Sequence, residues 1–102
     1  MNCSELLQRA AAGMNSPGAY SRGSDNLAVL SKMRPYGVSG ALERASCRLR
    51  SGSAFCARGD PAVLEEAKAR VCRIVGFPHL DLWEWIAKPD WSEVQRVFRE
   101  AA

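Results

Sequence analysis

Apolar residues recur along this chain at intervals of three and four, the spacing of one face of an α-helix. Sustained alternation of β-branched or aromatic residues, which would mark a half-buried strand, does not occur. The pattern predicts one all-α domain over residues 1–102, built of five to six short helices joined by Gly/Ser/Pro loops. No internal repeat or low-complexity tract interrupts it.

The first predicted helix is "ELLQRAAAGM", with Ser4 as its cap. Leu7, Ala10, Ala11 and Met14 form its stripe, with Leu6 at the margin. "NSPGAYSRGS" reads as a loop, since Gly, Pro, Asn and Ser all favour turns. Ser24 or Asp25 then opens a second helix, "NLAVLSKMR". It is apolar on most sides, at Leu27, Ala28, Val29, Leu30 and Met33, and is therefore expected at the centre. Pro35 ends it, because the ring disfavours helical geometry in the residue before it. Ser39 suits the cap of a third helix, "GALERASCRLR", with Leu42, Ala45 and Leu49 inward and Arg44, Cys47 and Arg48 outward. "SGSAFCARG" is a second loop.

The clearest signals bracket "DPAVLEEAKARVCRIVG", residues 60–76. Asp60 is at the cap, Pro61 at the first helical position and Gly76 just past the end. Leu64, Ala67, Val71, Ile74 and Val75 are its expected core stripe, and Glu66 stands four residues before Arg70, a favourable surface pair. "LDLWEWIAK" follows as a fifth helix stopped by Pro89. In the last helix, "DWSEVQRVFREAA", Asp90 and Glu93 resemble a capping box. Trp91, Val94, Phe98 and Ala101 share a face there.

Composition narrows the class further. A chain of 102 residues, 47% hydrophobic and 25% charged, suits one globular core. No apolar run approaches the roughly 18 to 20 residues of a membrane span. The segment "MNCSELLQRAAAGMNSPG" lacks the basic start and long apolar block of a secretory signal. A cytoplasmic location is therefore expected, with Cys3, Cys47, Cys56 and Cys72 as reduced thiols. Arginine outnumbers lysine 11 to 3, and with the abundant alanine this points to GC-rich coding of a bacterial or phage kind.

The familiar signatures of catalysis are missing: no phosphate-binding GxxxxGK[ST] or GxGxxG, no HExxH and no GxSxG. One histidine excludes acid–base chemistry by a His pair. Asp81 and Glu84, three apart on one short helix, read as a solvated face. Cys47, Cys56, Cys72 and His79 offer zinc-binding atoms, but structural zinc sites bring ligands in close pairs and these are widely spaced. They read instead as small buried hydrophobes, and stoichiometric zinc is not expected. Cys47 lies near Arg44, Arg48 and Arg50, which favour a thiolate. A catalytic cysteine also needs a base, and only the distant His79 is available. In "ARGDP" the aspartate is better explained as a helix cap than as part of an adhesion tripeptide. No catalytic residue, cofactor or metal ligand is assigned.

Binding remains, in two forms. Net charge is +3, but residues 20–58 carry seven basic side chains against two acidic ones, a local excess of +5. Lys32, Arg34, Arg44, Arg48 and Arg50 in that segment suit an anionic partner such as nucleic acid. The second and third helices have a helix–turn–helix outline, yet the turn is long and "GALERAS" offers few side chains for reading bases. A protein partner is the first choice. Arginine and tryptophan are the residues enriched at binding hot spots. All three tryptophans and the only histidine fall within "FPHLDLWEWIAKPDW", residues 77–91. Spacing predicts Leu82, Trp83 and Ile86 turned inward, His79 at the helix start, and Trp91 joined to Val94 and Phe98. Trp85, at the margin, and the rim around Pro89 then remain for a partner. The expected function is a small non-enzymatic regulator, adaptor or inhibitor, with Lys32, Arg34, Arg44, Arg48, Arg50, Trp85 and Trp91 as partner-binding residues.

Overall fold

A computed structural model describes residues 2–21, 36–46, 48–49, 56–57 and 60–102, with the backbone alone at 48–49 and 56–57. Five α-helices occur among them: α1 (Cys3–Gly13), α2 (Val38–Ser46), α3 (Pro61–Val75), α4 (Leu80–Ala87) and α5 (Trp91–Ala101). The all-α architecture is as the periodicity predicts. The predicted second helix, with Lys32 and Arg34, lies outside the described residues, as do Cys47 and Arg50.

Helix α1 holds the centre. Cys3, Leu6, Leu7, Ala10, Ala11 and Met14 are all buried, so the apolar stripe runs its whole length. Leu6, expected at the margin, is fully buried. The helix packs against α2, α3 and α5. It runs antiparallel to α5, where Ser4 Oγ donates to the Ala102 carbonyl at 3.3 Å and Gln95 Nε2 donates to the Ala11 carbonyl at 3.1 Å. The cap is Asn2, whose side-chain oxygen accepts the Glu5 N–H at 2.8 Å, and not Ser4. Ser4 lies inside the helix, turned to the end of α5.

After α1 a short 3₁₀ turn, Pro17–Ala19, leads to Tyr20, which forms an isolated parallel bridge with Tyr36. Tyr36 N–H donates to Ala19, and Ser21 N–H donates to Tyr36, both at 3.0 Å. Helix α2 then begins one residue earlier than its predicted cap, so Ser39 sits within it. It also stops sooner, at Ser46. Arg48–Leu49 (β1) pairs antiparallel with Cys56–Ala57 (β2), Arg48 opposite Ala57 and Leu49 opposite Cys56. Arg48 and Leu49 are therefore strand and not helix residues. They pair with β2, an arrangement that helical periodicity does not reveal.

Helix α3 matches its sequence signals. Asp60 accepts the Ala62 N–H at 2.9 Å, Pro61 opens the helix, and Gly76 closes it in the left-handed region at φ 79°. That conformation suits a residue without Cβ. Ala67 and Val71 are buried and Leu64 and Val75 partly so, while Ile74 is exposed, a correction to the predicted stripe. The predicted pair forms, with Arg70 Nη2 3.4 Å from Glu66 Oε1.

Helix α5 places Val94, Val97, Phe98 and Ala101 against α1 and α3. Its Asp90 cap accepts the Glu93 N–H at 2.8 Å and the Ser92 hydroxyl at 2.9 Å. The Glu93 N–H bond first, and the Ser92 bonds after it, hold the Asp90 carboxyl below its ordinary value of 3.8. A group depressed on folding contributes stability above its unfolded pKa and loses it as pH falls through the folded one. Asp90→Asn keeps a capping oxygen without the titration. On acidification below about pH 4, the wild-type melting temperature is expected to fall more steeply than that of the variant. Parallel curves in a pH series of thermal melts would contradict this.

Candidate functional site

Helix α4 carries two apolar faces. Leu80, Trp83 and Glu84 point inward, at 5%, 3% and 2% exposure. Leu82, Trp85 and Ile86 point outward, at 41%, 55% and 64%. Sequence spacing places Leu82 and Ile86 with Trp83 on the buried side, and the structure corrects that. Pro89 itself is buried, while Lys88 and Asp90 on either side of it are exposed. The outer residues stand at i, i+3 and i+4, which makes them one continuous stripe. Together they expose roughly 300 Å² of apolar surface, a size often associated with function on a monomer.

The inward face explains the arrangement. Glu84 Oε2 accepts the Val38 N–H, the first of α2, at 2.8 Å. The first N–H groups of a helix have no partner within it, and its positive end favours a carboxylate. Glu84 thus serves α2 as the cap that Ser39 was expected to supply, and it is not the solvated carboxylate that its spacing from Asp81 suggests. Asp81 itself is exposed.

Beside the stripe, Asp81 also lines an open groove of about 580 Å³, bounded by Ser39 of α2, by Glu65, Lys68, Cys72 and Arg73 of α3, and by His79. Lys68 lies 3.7 Å from Glu43 and 3.8 Å from Glu65, so its charge is balanced locally. Cys72 and His79, two of the four considered zinc ligands, meet on this groove. Burial raises the Cys72 thiol above its ordinary 9.0, which favours the unreactive protonated form. Cys3 is raised too, by burial first, against a lowering pull from Arg70. Among the described residues no group of three His, Cys, Asp or Glu side chains is arranged to hold a metal ion. His79 occupies the cap position of α4 but makes no side-chain cap bond.

Of the other sequence-predicted site residues, Lys32, Arg34 and Arg50 lie outside the described residues. Arg44 is half-buried near the end of α2, and Arg48 lies in β1 with only its backbone described. Trp91 is half-buried against the core at the start of α5, and Trp85 is the more exposed of the two tryptophans. Sequence reasoning missed Leu82 and Ile86 as surface residues and Glu84 as a buried one. A signal was present: Leu80/Trp83/Glu84 and Leu82/Trp85/Ile86 repeat one spacing two residues apart, a shift that turns an α-helix by about 200°. Among the described residues no helix is long and apolar enough to cross a membrane. Comparison with known proteins finds no family model, no curated protein and no solved structure that matches this chain.

Proposed function

We propose that this chain is a small non-enzymatic binding protein, a regulator, adaptor or inhibitor, that docks another protein on the outer face of α4. The outward stripe of Leu82, Trp85 and Ile86 carries the reading. Tryptophan in such a stripe supplies large rigid contact area, and it is enriched among residues that dominate binding energy. The stripe is under half the roughly 800 Å² that each partner buries in a standard interface. Two copies meeting stripe to stripe would bury too little. A partner with an apolar cleft that wraps the ridge, and reaches the polar rim at Asp81 and Lys88, gains the rest. This is the helix-in-groove mode, with this chain supplying the helix.

The test places a photo-crosslinking residue at position 86, and at position 99 on the far helix α5 as control. The expected result is one discrete protein cross-linked from position 86 and not from 99. With that protein purified, Trp85→Ala should weaken its affinity by about 30-fold or more, with little dependence on salt. Binding of nucleic acid that weakens steeply with added salt would favour the basic segment 20–58 and overturn this reading.

A further inference from the structure

The two trios of α4 differ at one position. Inside stand Leu80, Trp83 and Glu84; outside, at the same spacing, stand Leu82, Trp85 and Ile86. Each offers a leucine and a tryptophan to the core, and the third member is a carboxylate in one and an isoleucine in the other. Apolar burial alone favours the trio with isoleucine, because burying a charge is costly and burying an isoleucine is favourable. The structure buries the carboxylate. What the inward orientation has in addition is the Val38 N–H, which meets Glu84 Oε2 at 2.8 Å.

We propose that Glu84 is a positioning residue that decides which face of α4 the protein presents, holding the helix in the less apolar of two packable orientations through its bond to the start of α2. A bond between a buried carboxylate and an N–H at a helix start is directional and charge-assisted, so it fixes rotation about the α4 axis against the apolar preference for the isoleucine face. Leu82, Trp85 and Ile86 are thereby kept at the surface. The bond also ties α4 to the segment beside Tyr36, two residues before Val38, where the chain bridges back to Tyr20. The inference concerns the chain alone and stands or falls independently of whether a partner covers the face.

The experiment labels the full chain with 5-fluorotryptophan and reads the fluorine resonances in H₂O and D₂O, where a solvent isotope shift reports exposure. Trp85→Phe assigns the Trp85 signal, and the conservative change Trp91→Phe assigns that of Trp91. In the wild type the Trp85 signal should show the shift and the Trp83 signal should not. Glu84→Gln keeps an acceptor oxygen and should preserve that contrast. Glu84→Ala, with helical circular dichroism retained, should lose it, with Trp83 gaining a solvent shift while Trp91 is unchanged. If Trp83 stays dry in Glu84→Ala, or if all three tryptophans and the helicity are lost together, Glu84 is only a stability residue and the proposal fails. A dry Trp85 in the wild type would sink both this inference and the proposed docking face. A wet Trp85 that cross-links to no protein would sink only the latter.

Discussion

Phe98→Ala is expected to lower the free energy of unfolding by about 3–5 kcal/mol, the largest effect of any single truncation considered for this chain. Phe98 is fully buried on α5, at the interface with α1 and α3, and it joins Leu6, Leu7, Val71 and Val94 in one core. Removing its ring forfeits the transfer energy of a large apolar group. It also leaves a cavity that three packed helices can close only partly. A domain of this size has about 5–15 kcal/mol in total, so the variant would sit near the edge of stability. Urea unfolding checks it: the midpoint should fall while the slope stays constant, as for a change in stability without a change in exposed area. Ile86→Ala is the matched control. Ile86 is 64% exposed, so its truncation should move stability by no more than about 0.5 kcal/mol. A large loss there would mean that α4 does not present this face.

Glu84→Lys is expected to destabilise the protein by roughly 3 kcal/mol or more, and Glu84→Gln by much less. The lysine removes the acceptor for the Val38 N–H, and it puts an ammonium where a residue is 2% exposed. It also sets a positive charge against the positive end of α2. Glutamine keeps an oxygen at similar reach. The contrast between the two variants, measured in parallel denaturant titrations, separates the acceptor's role from that of mere volume. Equal losses for the two would show that the charge itself, and not the hydrogen bond, holds the site.

These two positions differ in how they could be read beforehand. Phe98 belongs to a stripe with Val94 and Ala101 on a helix whose far side is charged, so one face alone could go inward. Glu84 has no such signature. Wheel position on α4 groups Leu82, Trp83 and Ile86, and the structure separates Trp83 from the other two. Trp85 was legible as a candidate for a partner; its neighbours on that surface were legible only in the repeated spacing of the two trios, which the wheel grouping obscures. Caps divide the same way. Asp60 and Asp90 bond to N–H groups two or three residues on, a range that sequence spacing captures. The cap of α2 comes from 46 residues away.

What the sequence by itself determined is what short-range physics controls: the all-α class, the start of α3 at Asp60–Pro61 and its end at Gly76, the cap of α5, and the buried stripes of α1 and α5. Backbone hydrogen bonds within a turn and a one-sided apolar pattern leave a single solution there. Tertiary structure decided the early stop of α2 before β1, the burial of Glu84 and the outward turn of Leu82, Trp85 and Ile86. On α4, apolar burial alone favours the face that carries isoleucine over the one that carries a carboxylate. In the orientation proposed to be held by Glu84, the bond to the head of α2 works against that preference, because a hydrogen bond has a direction and the hydrophobic effect has none.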